Sequence, residues 1–277
     1  MAKTYREVLS RASSFLEAAG KEGYAIQFVF LNRKNWQKLD WLLQMNQPIT
    51  PADEMQIAAD LEQLLANQPP QYLLGYADFY ESRFQVTPAT LIPRPETEEL
   101  VALCLSEVNQ ADARVVDVGT GSGAIAVSLK LERPTWDVTA IDLSPGALRV
   151  AKENAQNLGA DIAFYLGDGL QPLANQKIDV LISNPPYISH DEWALMDESV
   201  REFEPKMALF AENDGLAIYQ QLAKEVQGLL TPCGQIFLEI GFQQGKAVQA
   251  IFQQAFPSKK VTILKDLAQN ERMIHVK

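Results

Sequence analysis

Two spacings of apolar residues alternate along this chain. Tyr5, Val8, Leu9, Ala12, Phe15, Leu16 and Ala19 recur at helical spacing. Thr4 and Glu7 predict a capping box at the start of that helix, and Gly20 predicts its stop. Thr50-Pro51-Ala52-Asp53 opens another helix with proline at the first helical position, where no N–H is missed. Its predicted buried stripe is Ile57, Ala58, Leu61, Leu64 and Leu65, and Pro69-Pro70 ends it. The apolar and aromatic stretch 24–46 predicts two shorter helices. At Tyr76 the texture changes. Phe79-Tyr80-Glu81 and Arg83-Phe84-Gln85-Val86 predict a hairpin or a pair of edge strands, and Pro88, Pro93 and Pro95 punctuate a linker into a helix starting near Glu96.

Beyond residue 110, strands and helices alternate. Strands are predicted at Arg114–Val118, Val138–Leu143, Ile162–Leu166, Ile178–Ser183, Gln235–Ile240, Val261–Leu264 and Met273–Val276. Helices fit at 123–131, 145–158, 215–230 and 245–255. This alternation implies right-handed crossovers and an α/β fold, a doubly wound, mostly parallel seven-stranded sheet. The short span between Leu264 and Met273 predicts that the last strand returns reversed, as a hairpin. The expected organisation is a helical domain at 1–75, a hairpin and proline connector at 76–95, and an α/β domain at 96–277.

Composition narrows the class. The 277 residues carry a net charge of −11, which argues against holding bare nucleic acid on a basic face. Charge is uneven: residues 1–50 hold seven basic and four acidic side chains, a net +3, leaving −14 on the rest. That excess reads first as a solvated helix surface and second as a docking face for an anionic partner. No apolar run reaches the roughly 18 residues of a membrane span. The first residues lack the apolar core of a signal peptide. Cys104 and Cys233 alone make no disulfide framework or thiolate metal cluster, so a cytoplasmic setting is expected. His190 and His275 read as surface or incidental, and no metal site is predicted.

The chemistry begins after the first parallel strand. Asp117-Val118-Gly119-Thr120-Gly121-Ser122-Gly123 places a glycine-rich turn where open α/β sheets bind ligands. The second strand ends at Asp142, about 20 residues on, where a carboxylate can accept from both hydroxyls of a ribose. The full Gly-x-Gly-x-x-Gly fingerprint of dinucleotide binders is not met. Asp117 ahead of a tight Gly-x-Gly-x-Gly suits S-adenosylmethionine, with its zwitterionic amino-acid end and cationic sulfonium. A dinucleotide, or a tight turn with no ligand, are the alternatives. Gly167-Asp168-Gly169 after the third strand falls where adenine is held, with Asp168 as acceptor for its amine; a plain turn is the alternative.

Asn184-Pro185-Pro186-Tyr187 follows the fourth strand, at the same sheet edge. Two prolines fix φ and remove two N–H donors, and Pro186 holds Pro185 extended. The Pro185 carbonyl and the Asn184 side-chain oxygen form a rigid, neutral pair of acceptors for a planar –NH2 group. Such a nitrogen has a delocalised lone pair and is a poor nucleophile. Holding both N–H bonds turns the lone pair toward a methyl donor and stabilises the charge that develops. Tyr187 would wall the slot. An ordinary turn after a strand is the alternative.

Asn184–Tyr187 with Asp117–Gly123 resembles the amino-methyltransferases that act on planar nitrogen in DNA adenine, RNA guanine and protein glutamine. The sheet, with its reversed last strand, is that of a Rossmann-like class I methyltransferase. Leu91-Ile92-Pro93-Arg94-Pro95-Glu96-Thr97-Glu98 resembles a segment of the protein-(glutamine-N5) methyltransferases of bacterial peptide-chain release factors, the PrmC/HemK family. Pro70–Gly75, Phe203-Glu204-Pro205 and Leu238-Glu239-Ile240-Gly241 resemble it too. The resemblance implies S-adenosylmethionine as methyl donor, held by Gly119, Thr120, Gly121, Ser122, Gly123, Asp142 and Asn184, with Asp117, Asp168 and Gly169 as further candidates by their place at the same sheet edge. It implies that Asn184, Pro185, Pro186 and Tyr187 hold and activate the glutamine of a Gly-Gly-Gln motif. A departure stands at Gly169, where related sequences often carry an aromatic. Arg94 reads equally as a site residue and as part of a rigid connector, and Glu204-Pro205 equally as structural and catalytic. The expected partner is a release factor, with no nucleic acid and no membrane. A glutamine methyltransferase of a ribosomal protein, a DNA adenine methyltransferase and a non-enzymatic binding module are the competing readings.

Overall fold

The computed structural model describes residues 3–173 and 176–277; the side chains of His190 and Leu195 also lie outside the described set. The chain divides into two compact units, residues 1–76 with 197–203, and residues 77–196 with 204–277.

The first unit is helical: α1 (Tyr5–Ala18), α2 (Tyr24–Lys34), α3 (Lys38–Gln44), α4 (Pro51–Leu65) and α5 (Pro70–Leu74). The predicted capping box is formed at Thr4 and Glu7, and Thr50 caps α4 by accepting from the Asp53 N–H. Tyr5, Leu9, Leu16, Ile26, Phe30, Ile57 and Leu64 make its core. The predicted α4 stripe is wrong at two positions, since Ala58 and Leu65 are exposed and Asp60 is buried instead. Arg33 explains this, donating to both Asp60 oxygens at 2.9 Å and to the Leu73 carbonyl at 3.1 Å. An apolar period cannot foresee a charge that is buried because it is paired.

The second unit opens at Ala77, inside the hairpin of β1 (Tyr76–Phe79) and β2 (Ser82–Gln85), which turns through Tyr80 and Glu81 at positive φ. Phe79 and Phe84 are fully buried and meet edge to face at 6.0 Å. Then follow α6 (Pro95–Glu107), β3 (Arg114–Val118), α7 (Ala124–Glu132), β4 (Asp137–Asp142), α8 (Pro145–Leu158), β5 (Ala163–Leu166) and β6 (Ile178–Ser183). The short α9 (Glu198–Phe203) packs with the first unit, its Glu198 and Glu202 accepting from Asn67. α10 (Ala217–Val226), β7 (Leu230–Glu239), α11 (Gly245–Ala255), β8 (Val261–Lys265) and β9 (Glu271–Val276) complete the unit.

The seven strands run in the order β5-β4-β3-β6-β7-β9-β8, with β9 antiparallel to both neighbours and the others parallel. Every residue of β6 is buried, as a central strand covered on both faces requires. β7 begins at Leu230 rather than Gln235, because a register shift lets Leu230 pair with Ile178 before Gln235 meets Val180. His275 is not at the surface: it is 3% exposed, stacked on Phe237 at 4.6 Å, with Nε2 2.7 Å from Gln235 Oε1. From β3 the chain winds outward through β4 and β5, then returns to β6 on the other side of β3. The crevice at the carboxyl ends of β3 and β6 is therefore the topological switch point.

Candidate active site

Asp117 lies fully buried near the end of β3, where its Oδ2 accepts from the Thr120 hydroxyl at 2.6 Å. Its Oδ1 makes no hydrogen bond among the described residues. Burial pushes its pKa up to about 7; the Thr120 hydrogen bond opposes this and the charge of Asp142 adds to it. The glycine turn takes positive φ at Gly119, Gly121 and Gly123, which only glycine adopts without strain. A Cβ at Gly123 would press on Ala151 of α8 at 3.2 Å, so this glycine also lets α7 lie close to α8. At Gly119 and Gly121 a Cβ would meet nothing, which leaves the backbone open to close approach.

Asp142 ends β4 half-buried. Its Oδ2 accepts from the Gly121 N–H and its Oδ1 from the Ser144 N–H, both at 2.8 Å. Burial raises its pKa against those two hydrogen bonds. The loop has a second support in Asn154 of α8. Its amide donates to the Ser122 carbonyl at 2.8 Å and brackets Gln85 of β2, donating to its carbonyl and accepting from its N–H.

After β5, Asp168 Oδ1 accepts from Gln221 at 2.9 Å, and the Leu170 N–H donates to Glu225 at 2.7 Å. Gly169 sits between these at φ +55°, where a Cβ would collide with Glu225 Oε2 and Gln221 Nε2. The positive φ suits glycine at this position, and the flexible ends of two α10 side chains stand where a Cβ would project.

Across the switch point, Ser183 ends β6 and donates to the Val118 carbonyl at 2.6 Å. Asn184 follows, its amide donating to the Thr97 hydroxyl of α6 at 3.1 Å, and Thr97 donates to Glu239 Oε2 of β7 at 2.7 Å. Thr97 and Glu239 are both buried. The Tyr187 carbonyl accepts from Gln244 at 2.8 Å, and Gln244 Oε1 in turn accepts from the Gly241 N–H. Burial pushes the Tyr187 phenol up to about 12, with the nearby Glu239 adding to it. Arg94 is engaged by Glu204, at 2.5 Å, and the same buried carboxylate accepts from the Ile92 N–H. Ile92–Arg94 is thereby strapped to Glu204, as a rigid connector.

Among the described residues, no group of three or more His, Cys, Asp and Glu side chains is arranged to hold a metal. Among the described residues, too, no helix is long and apolar enough to cross a membrane.

Residues 97–206 match the family model of the methyltransferase small domain, and residues 7–75 that of the PrmC N-terminal domain. The release factor glutamine methyltransferase of Enterococcus faecalis is 62% identical over 273 residues, covering 99% of both chains. The chain belongs to the release factor glutamine methyltransferase family. The Lactococcus lactis member is 45% identical over 95% of this chain and 97% of its own. The fold is also that of a Pyrococcus furiosus methyltransferase of known structure, with a TM-score of 0.53 at 14% identity, over 70% of this chain and 87% of that one. A mixed seven-stranded sheet with flanking helices is thus the methyltransferase fold expected from the sequence.

In this member of the family, the structure brings Asp117, Gly119–Gly123 and Asp142 together on one side of the switch point and Asn184–Tyr187 on the other. Asp168 and Gly169 stand farther along the same sheet edge, at the end of β5. Thr97, Asn154, Glu239 and Gln244 hold these groups in place, and sequence reasoning assigned none of them a role. The signal for two was present, because Thr97 and Glu239 lie inside the segments that carry the family resemblance.

Proposed function

We propose that this chain methylates the side-chain amide nitrogen of the glutamine in the Gly-Gly-Gln motif of a peptide-chain release factor, in the cytoplasm, with S-adenosylmethionine as donor. One observation carries the reading. The glycine turn and the Asn-Pro-Pro-Tyr segment leave adjacent parallel strands at their carboxyl ends, tied by the Ser183–Val118 hydrogen bond. The residues present fit the donor. Buried Asp117 keeps an oxygen with no partner among the described residues for the cationic amino-acid end, half-buried Asp142 keeps a further lone pair on each oxygen for ribose hydroxyls, and Gly119 and Gly121 leave room for close approach. When bound, the sulfonium supplies an electrophilic methyl carbon.

The protein's own work is positional. The Pro185 carbonyl and Asn184 Oδ1 accept the two N–H bonds of the glutamine, which turns the nitrogen lone pair out of the amide plane. The nitrogen gains the methyl as the carbon–sulfur bond breaks, then sheds one proton to water. The same two acceptors stabilise its transient positive charge. In-line placement of two bound reactants supplies about 7–11 kcal/mol of the barrier reduction. Tyr187 walls the slot with a phenol that stays protonated at neutral pH.

Incubation with radiolabelled donor and a release factor, a ribosomal protein or duplex DNA tests this reading. Label is expected on the glutamine of the release factor; label on DNA alone, or on the ribosomal protein alone, overturns it.

A further inference from the structure

Asn184 is useful only one way round. A planar carboxamide presents an oxygen on one side and an –NH2 on the other, and an –NH2 turned toward the glutamine –NH2 would set donor against donor. We propose that Thr97 and Glu239 are positioning residues that fix which side the Asn184 carboxamide turns toward the substrate nitrogen. The proposal rests on the reading of Asn184 as a substrate clamp.

The geometry leaves one self-consistent arrangement. An ionised carboxylate only accepts, so the single hydroxyl proton of Thr97 goes to Glu239 Oε2, 2.7 Å away. The Thr97 oxygen is then an acceptor, and what faces it at 3.1 Å must be the Asn184 –NH2. Asn184 Oδ1 is thereby turned away from Thr97 and is free to accept. The flipped carboxamide would place two oxygens together with no proton between them. Thr97 is 4% exposed and Glu239 2%, so both groups are shielded from bulk solvent. Tyr219 pins the strand end by donating to the Glu239 carbonyl at 2.8 Å.

The relay depends on the charge of Glu239. Burial pushes its carboxyl up to about 7; the Thr97 hydrogen bond and the charges of Arg272 on β9 and Arg94 before α6 oppose this, while Glu96 on α6 adds to it. The phenols of Tyr187 and Tyr219 also face it and stay neutral in this range. Once protonated, Glu239 donates to Thr97, the Thr97 hydroxyl turns its proton toward Asn184, and the flipped carboxamide becomes the favoured one. Turnover should therefore fall on the acid side of about pH 7 even with donor saturating.

The test uses the full chain with a release factor as substrate. Thr97→Val keeps the shape and removes the hydroxyl. It should lower kcat/KM for the release factor by about 10- to 100-fold, the effect of leaving a buried polar group unpaired. Donor affinity, measured without release factor, should stay within about twofold, which also reports that the variant is folded. Thr97→Ser, with the hydroxyl restored, should recover most of the loss. Glu239→Gln cannot titrate, so its residual turnover should lose the acid limb. Asn184→Ala separates the two levels. Full activity in Asn184→Ala removes the clamp reading itself. An inactive Asn184→Ala beside a fully active Thr97→Val, a Thr97→Ser as damaged as Thr97→Val, or an acid limb unchanged in Glu239→Gln overturns the relay alone.

Discussion

Ser183 Oγ donates to the carbonyl of Val118 across 2.6 Å, and both residues are buried at the ends of paired strands. This bond holds the exit of β3, from which the glycine turn springs, to the exit of β6, from which the Asn-Pro-Pro-Tyr segment springs, the two segments proposed to hold donor and substrate. Ser183→Ala leaves that bond unmade, and a buried hydrogen bond of this kind contributes about 1 kcal/mol. The expected result is a modest fall in Tm with a larger fall in kcat, because the two ligand sites lose registration. Steady-state kinetics beside a thermal melt would check this; a loss of Tm with kcat unchanged would count against it.

Asp142 is held by two backbone N–H groups before any ligand arrives. Asp142→Ala should weaken donor binding by about 10-fold or more, through lost ribose hydrogen bonds and a loosened Gly121. The KM for release factor should barely move. Equilibrium binding of the donor measures the first effect, and unchanged affinity would discredit the ribose assignment.

Asp117 carries a pH signature of its own. Its pKa in the free protein is pushed up to about 7, whereas a cation beside it favours the carboxylate. Donor affinity should therefore weaken as pH falls from 8 to 6, and binding near neutrality should release protons. Calorimetry in buffers of different ionisation enthalpy detects that release. The sign for stability is opposite. A carboxyl with a raised native-state pKa favours folding below its unfolded value and loses that contribution as pH rises through about 7. Asp117→Asn should flatten both dependences.

Gly169 sits at a positive φ, with the flexible ends of Glu225 and Gln221 where a side chain would project. Gly169→Ala forces alanine into a positive φ, at a cost of about 1–3 kcal/mol, and displaces the ends of Glu225 and Gln221. A lower Tm with weaker donor binding is expected. Pairing the substitution with Glu225→Ala should return part of the stability, since the obstacle is then removed.

The fold was legible where a local period carried it: the capped α1, the Pro51 start of α4, and the alternation of strands and helices with a reversed last strand. The glycine turn and the Asn-Pro-Pro-Tyr segment stood out in the sequence because each is contiguous and built from residues with unusual backbone constraints, glycine and proline. What escaped is contiguous only in space. Thr97 is 87 residues from Asn184 and 142 from Glu239, so no window of sequence contains their hydrogen bonds. Asp60 and His275 escaped for a related reason. Each is a polar group buried because a distant partner satisfies it, Arg33 in one case and Gln235 in the other. The obstruction beside Gly169 likewise needs α10, some fifty residues on, to be placed against the turn.

Asn154 touches both the donor loop and the β1–β2 hairpin, clasping Ser122 with one hand and Gln85 with the other. The hairpin therefore braces the glycine turn through Asn154. A shortened protein starting at residue 77 retains the brace, and one starting at residue 96 discards it. The second should fold less cooperatively and grip the donor more weakly, even though every residue of the pocket is still present.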